Sequence, residues 1–487
     1  MYAASIVALV IFLYSLEVSG SQYTPKGLYD PEYFTLPNGL DVVLKHRDVT
    51  HNTAIRLSVK VGQLDFECGR QEVPHFLEHL LFTGTSQHSQ AELEALIEEH
   101  GGYWNAYTKA ERTDYEIDIY SIHALLAIDV LHEIITDSQM MPSDVARTRD
   151  IIHRELGGKP SKVKEWLYRR GIVRDAMDNA FLKMFPNSNV VCPKLQTADH
   201  INRKNVLDVF NRYYVPNNML LVIVGEFDRT ALMEKIKATF GMLQPKELKN
   251  GHREPPEYYR SGPSVSSGNL SPVFDSGANL GLAFRTDGNL SPDRHPLLII
   301  DEYLGTRLFN TLRVAWGLSY GPQSTHITYD TFGVFLLSTD VDTDDIDTAL
   351  GHFYEEIDIL RKGEISNDEI EKAKKRILLS WVQGFESNSD IADYYLSKHH
   401  ELTRYGRLIN HEEKLERITP DDVKAVARLY FDDSTSVIIK DTPTFSDTQL
   451  FALVSLLILA ALFIMYRIFR RLRARRAHAL HVREESI

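Results

Sequence analysis

Residues 201–224, INRKNVLDVFNRYYVPNNMLLVIV, return in diverged form at 418–440 as ITPDDVKAVARLYFDDSTSVIIK. At an offset of 217, Ile201 falls on Ile418, Val206 on Val423, Val209 on Val426, Tyr213 on Tyr430 and Tyr214 on Phe431. Each copy reads as an amphipathic helix, an aromatic pair, a turn and an apolar strand. Such a repeat restricts the body of the chain to two related domains of about 200 residues. The stretch Lys246–Gly268, rich in Pro, Gly, Ser and charge, reads as the linker between them.

Within the first copy, Thr53–Val61 is strand-like. Tyr115, Ile117 and Ile119 alternate with Glu116, Asp118 and Tyr120, the pattern of a half-buried strand. Ser89 and Glu92 form a capping-box signal for a helix that ends at Gly101-Gly102. Helical and strand periods alternate without the regularity of a parallel βαβ series. The expected fold class is therefore α+β, with an antiparallel-rich sheet and packed helices in each domain. The expected boundaries are 27–245 for the first domain and 269–442 for the second, with 246–268 between them.

Residues 75–79 read His-Phe-Leu-Glu-His. On a helix, His75 and His79 project from one face, where two neutral imidazoles can hold one Zn²⁺. Glu78 lies beside them, placed to take a proton from an activated water. This is the HExxH arrangement in reverse order. A third ligand is still needed, and the segment Ser143–Leu156, which reads as a helix, offers Glu155. The second copy of the metal helix falls near His295–Gly305 and has no HxxEH, so only the first domain is expected to carry zinc. Other histidines do not compete. His132-Glu133 is followed by Thr136 where HExxH needs His, and His399-His400-Glu401 has no partner at ligand spacing. His88, His100, His123 and His153 read as surface or packed side chains.

HFLEHLLFTGT (75–85), GGYWNAYT (101–108) and RDIIHREL (149–156) together resemble the pitrilysin/insulinase family of zinc peptidases, the inverzincins. The resemblance extends from Leu36 to about Lys440. In layout it is nearest to the two-domain members, such as the mitochondrial processing peptidase subunits. It implies that Glu155, 76 positions beyond His79, is the third zinc ligand and Glu78 the catalytic base. It implies that Asn105 and Ala106 line an extended substrate. It also implies that Arg313 and Tyr320, in RVAWGLSY, are directed at the substrate carbonyl and the developing oxyanion, a charge that both side chains suit as donors. One departure is visible: where the family often has a supporting Glu seven residues before the ligand, this chain has Thr148.

The two ends differ from the middle. An apolar run from Ala3 to Leu16, then Val18-Ser19-Gly20, reads as a signal peptide over residues 1–20, with an uncleaved anchor as the alternative because no basic residue precedes it. Leu450–Tyr466 carries no charge and reads as a transmembrane helix; six arginines between Arg467 and Arg476 mark its cytoplasmic side. The expected topology is single-pass, with the catalytic region extracytoplasmic (periplasmic, extracellular or lumenal) and a basic tail, 467–487, inside against lipid. That tail has seven Arg and two Glu, a net +5, so the remainder of a chain of net charge −13 carries −18. Such acidity disfavours nucleic acid as a partner. Cys68 and Cys192 are the two cysteines; a disulfide is allowed but not implied.

These features lead to the expectation of a membrane-anchored zinc metalloendopeptidase that hydrolyses unfolded peptides by a zinc-activated water. Members of about this length close their chamber by pairing, so a homodimer, or a heterodimer with a related chain, is expected. The alternative is a catalytically inactive member acting as a structural or substrate-presenting subunit. Retention of all four motif residues weighs against it.

Overall fold

The computed structural model describes residues 27–484 other than 160, 171–174, 187, 193–197, 249–255, 257–262, 271–275, 444 and 446. The signal reading at 1–20 and part of the linker reading at 246–268 lie outside the described residues. Six strands form the first sheet: Glu32–Thr35 (β1), Asp41–His46 (β2), Asn52–Val59 (β3), Tyr103–Thr108 (β4), Thr113–Tyr120 (β5) and Met219–Gly225 (β6). Five form the second: Ser264–Leu270 (β7), Gly277–Asp287 (β8), Gln323–Thr328 (β9), Phe332–Asp342 (β10) and Val437–Pro443 (β11). The helices of the first half are Val73–Leu81 (α1), Gln90–Glu98 (α2), Ala124–Asp137 (α3), Pro142–Glu155 (α4), Lys162–Arg169 (α5), Ala176–Met184 (α6), Arg203–Tyr213 (α7) and Arg229–Ala238 (α8). Those of the second are Arg294–Leu308 (α9), Ile346–Lys362 (α10), Asn367–Gln383 (α11), Asn388–Ser397 (α12), His399–Tyr405 (α13), His411–Glu416 (α14) and Pro420–Tyr430 (α15). A final helix, Asp447–Glu484 (α16), follows.

The repeat seen in the sequence is a repeat of architecture. The sheet orders are β1-β2-β6-β3-β5-β4 and β7-β11-β8-β10-β9. Without β1 they correspond strand for strand, including one parallel pair in each, β2 with β6 and β7 with β11. All other pairings are antiparallel. Helices α7 and α15 begin at Arg203 and Pro420, which keeps the offset of the sequence repeat. Ser264–Gly268, at the end of the stretch read as linker, is β7 instead: ladder bonds to β11 need backbone groups, not apolar side chains.

Each sheet has two covered faces, and the halves cover one another. On the inner faces lie separate cores, one containing Val42, Leu44, Ile55, Leu57, Leu221 and Ile223, the other Leu282, Phe284, Phe335 and Leu337. The outer face of the first sheet, with Val43, Ala54, Leu220, Val222 and Val224, is covered by Ile391, Ala392, Tyr395 and Leu396 of α12, which belongs to the second half. The outer face of the second sheet, with Ala283, Val334, Leu336 and Ile439, is covered by Ala180, Phe181 and Met184 of α6, which belongs to the first half. Each large apolar side chain buried this way contributes about 1.5–3 kcal/mol. Polar pairs fix the seam. The buried Arg56 guanidinium meets Asp118 at 3.0 Å and Asp393 of α12 at 2.9 Å, and His399 meets Asp41 at 2.7 Å.

Behind the seam lies a buried ionisable cluster. His295 Nε2 and His411 Nδ1 are 2.9 Å apart, and His411 Nε2 is 2.8 Å from Glu401. Burial pushes His411 down to about 4 and His295 to about 3, with neighbouring cations adding to it. Burial likewise lowers Lys398 to about 7. Glu401, despite burial, is held at about 2 by its hydrogen bond with His411. The unfolded histidines take up protons below their ordinary value of about 6.5, whereas the folded ones do not until about 4. The two histidines therefore add no pH dependence above pH 6.5, and stability is expected to fall as pH drops from 6.5 towards 4; Lys398 adds a separate loss as pH falls from about 10.5 towards 7. The check is the thermal midpoint at pH 7 and at pH 4.5. The drop should shrink in a His295→Gln/His411→Gln variant, which leaves zinc dissociation unchanged; an equal drop in both proteins would show that the cluster contributes nothing.

Among the described residues, α16 is the one helix long and apolar enough to cross a membrane. The most apolar window of its Thr448–Ala474 portion has a mean hydropathy of 2.4, and none of that window is buried.

Candidate metal centre

Pro74 opens α1 at a position where its missing N–H costs nothing. Val73, Phe76, Leu77, Leu80 and Leu81 fill the first core, which leaves His75, Glu78 and His79 half-buried on the opposite face. Helix α4 packs beside α1 and ends at Glu155, whose carboxylate reaches the histidines. His75 Nε2 and His79 Nε2 are 3.2 Å apart; Glu155 Oε2 is 3.2 Å from the first and 3.5 Å from the second. Among the described residues this is the one group of His, Cys, Asp or Glu donors close enough to share an ion.

These distances test the fit of zinc. Tetrahedral bonds of about 2.0–2.2 Å place donor atoms about 3.3–3.6 Å apart. The triangle found here matches within a few tenths of an ångström, and two imidazoles with one carboxylate are a donor set that zinc accepts. Three lone pairs converging this way also suit a cation between them.

Glu72, which the sequence reading missed, completes the arrangement. Its Oε2 accepts a hydrogen bond from His75 Nδ1 at 3.0 Å, and it is 7% exposed. That bond puts the ring proton on Nδ1 and turns the Nε2 lone pair towards the shared point. It supplies an orienting carboxylate from the N-cap of α1 itself, whereas Thr148, in the position of the family's supporting Glu, is buried on α4. The spacing of Glu72 and His75, three apart at one helix end, was a usable signal.

Glu78 faces Thr108 at the end of β4. Burial raises its pKa above the ordinary carboxylate value, opposed by hydrogen bonding from Thr108 and by the histidines. The Thr108 hydroxyl is buried without a hydrogen-bond partner of full geometry, so that contact is a loose one. Asn105 and Ala106 lie on the same strand. Among the described residues β4 is the edge of its sheet and pairs only with β5, so its other side presents open backbone groups next to α1.

Upstream of α1, the approach is clamped. Cys68 and Cys192 form a disulfide across 124 residues. Asn189 Nδ2 donates to Phe66 O at 2.9 Å, and Gln71 donates to Asn189 O. Closing so long a loop is worth about 2–5 kcal/mol.

Arg313 and Tyr320 are brought to each other but not to this cleft. Arg313 lies on the π-helical turn Phe309–Ala315 that continues α9. Its guanidinium donates to Tyr320 O at 3.0 Å and stacks 4.3 Å from the Tyr320 ring centre. The backbone N–H of Tyr320 is held by Asp340 near the end of β10. The other end of that hairpin touches the first domain, where Asp330 N donates to Glu111 in the turn just beyond Thr108. About ten residues of strand separate the two ends, about 30 Å.

The comparisons with known proteins agree with this layout. Residues 41–186 match the sequence model described as insulinase (peptidase family M16), and residues 200–377 match the one described as peptidase M16 inactive domain. An uncharacterized zinc protease from Rickettsia bellii is 23% identical over 408 residues, 83% of this chain and 96% of the relative. A probable mitochondrial-processing peptidase subunit beta from Arabidopsis thaliana is 24% identical over 438 residues, 85% of this chain and 79% of the relative. In three dimensions, a protease from Helicobacter pylori superposes with a TM-score of 0.73 at 19% identity, over 85% of this chain and all of that one.

Proposed function

The chain belongs to peptidase family M16, the insulinase family, and from that premise we infer that it is a membrane-anchored zinc endopeptidase acting on unfolded peptides. The observation that carries this reading is the donor triangle of His75, His79 and Glu155 with Glu78 beside it. Bound there, zinc supplies a Lewis acid that lowers the pKa of water towards about 7 and polarises a carbonyl.

The chain's own residues do the rest. Glu78, made more basic by burial, removes the proton of the attacking water and returns it to the leaving amine. Glu72 keeps His75 in the tautomer that leaves Nε2 free. The open side of β4 at Asn105 and Ala106 pairs with an extended substrate as an added strand, which selects chains that can present free backbone. In this reading residues 27–245 are the zinc domain and 269–442 the second domain. The length of β10 that lies between the cleft and the Arg313–Tyr320 pair favours a dimer, homomeric or with a related chain, in which the pair serves the other subunit's substrate. Leu450–Tyr466 spans the membrane, with the catalytic region outside the cytoplasm and the basic tail, 467–487, within.

The second reading, an inactive subunit, draws on the matched inactive-domain description. That match covers residues 200–377 and leaves the HxxEH half outside it. Cleavage of a flexible peptide by the purified protein, abolished by a chelator and restored by zinc, separates the two. Zinc bound without any cleavage would favour the inactive subunit.

A further inference from the structure

We propose that the Cys68–Cys192 bridge, together with Asn189 and Gln71, positions the Glu72–His75 pair, so that zinc affinity falls when the bridge opens; this rests on the reading that His75, His79 and Glu155 hold zinc. Glu72 is held by a segment with little structure of its own. Between β3 and α1 the described residues form one short helical turn, Gln63–Asp65. The start of the segment is tied to the turn after β4, where Gln63 N donates to Lys109 O at 3.2 Å and Leu64 N to Ala110 O at 2.8 Å. From Glu67 to Val73 the printed backbone bonds are local turns, Arg70 N to Glu67 O and Val73 N to Arg70 O. Helix formation does not fix the carboxylate either: Glu72 is the N-cap of α1 but makes no side-chain capping bond. Its carboxylate serves His75 Nδ1 instead.

The hold comes from residues 189–192. Asn189 grips the segment on both sides of Cys68: its side-chain amide donates to Leu64 O and Phe66 O, and its backbone carbonyl accepts from Gln71. The bridge itself joins Cys192 to Cys68, four positions before Glu72. Four residues reach about 14 Å at most, so a restraint on Cys68 is a restraint on Glu72. The clamp is firmly seated, because Val190, Val191 and Leu64 pack against the core that α6 shares with the second sheet. Cys192 is buried and Cys68 half-buried. The neighbours of Cys68 in the chain, Phe66, Glu67 and Arg70, line a cavity of about 500 Å³ with Asp208, Arg212 and Tyr213 of α7, which admits a reductant on that side. An external dithiol would open the bridge by giving it two electrons and two protons, closing to its own disulfide and leaving two cysteine thiols. With the catalytic region outside the cytoplasm, as read above, the bridge forms only after export to an oxidising compartment. Tight zinc binding, and with it peptidase activity, then follows delivery.

The test measures the zinc affinity of the full-length protein by competition with a chelating dye, well below its unfolding temperature. Cys68→Ser/Cys192→Ser should bind zinc about tenfold more weakly or worse, the range set by loss of an orienting partner. Native protein opened with a phosphine should show the same fall, and reoxidation should reverse it. The phosphine leaves as its oxide, with the oxygen of a water, and does not compete for zinc as a dithiol would. Asn189→Ala keeps the bridge and removes the bonds to Leu64 and Phe66; it should weaken binding by a smaller factor, and it serves if the serine pair does not fold. A bridge that acts only on the unfolded chain would lower the thermal midpoint and leave the affinity within about twofold. That result overturns the proposal and leaves the zinc reading standing. The route through Glu72 is read from a mutant cycle: opening the bridge in Glu72→Gln should weaken binding by less than about a further twofold. A full additional tenfold loss there would overturn that route. Oxidised native protein that binds no zinc overturns both readings.

Discussion

Glu78→Gln should lower kcat/KM on a flexible peptide by about 10²–10⁴-fold, the usual contribution of a positioned proton-transfer group, while the protein keeps about one zinc per chain. The amide fills the same space beside Thr108 and cannot accept the proton. His75→Ala should be equally inactive for a different reason, since removing one corner of a triangle with sides of 3.2, 3.2 and 3.5 Å releases the ion. Metal analysis beside kinetics separates the two defects. Near-normal turnover in Glu78→Gln would mean that the base is elsewhere; zinc retained in His75→Ala would mean that the donor set is different. Glu72→Gln should fall between them, with weaker metal binding of about 10–100-fold, the usual effect of losing an orienting partner.

Mixing two inactive proteins should restore activity. Glu78→Gln lacks the base, and Tyr320→Phe lacks the phenol hydroxyl that the proposed pair directs at the oxyanion. If the pair acts across subunits, a mixed homodimer holds one site with both defects and one with neither. Random exchange of equal amounts makes half of the dimers mixed, so about a quarter of native activity returns, on the premise that distinct sites contribute independently. The geometry motivates the experiment: about 30 Å of β10 lies between the Asp330–Glu111 contact beside the cleft and the Asp340 that holds Tyr320. No recovery despite demonstrated mixed dimers and an inactive Tyr320→Phe parent would remove the pair from catalysis in trans.

The parts legible in the sequence were those encoded locally. The Ser89–Glu92 capping box, the alternation of Tyr115, Ile117 and Ile119, and the face of α1 follow from neighbours within one or two turns, and each appears in the structure. The repeat extended that reach, because two copies of one pattern predict two copies of one sheet. The less legible features depend on distant partners. Nothing in Asn388–Ser397 says which apolar sheet it will cover, since its apolar spacing suits either. Two cysteines 124 residues apart permit a bridge without indicating one. The separation of Arg313 and Tyr320 from the cleft arises from the length of the β9–β10 hairpin, which no motif records.

The exchange of α6 and α12 between the halves has a consequence for synthesis. The polypeptide emerges in order, and the first sheet has all its strands once Gly225 is made. Its outer face still lacks α12, whose Ile391 is to cover Val224 and its neighbours. About 170 residues must be added before Ile391 appears, at about 5–20 residues per second, so that face stays bare for roughly 10–30 s. Chains released after Gly384 should therefore hold a formed first sheet with one wet apolar side and bind a hydrophobic dye or aggregate, whereas chains released after Pro443, with α12, α15 and β11 all made, should not. A soluble, dye-silent product of the shorter release would mean that the nascent half hides that face by some other means. By this account the first half is not finished by its own sequence, and its maturation is timed by the translation of the second.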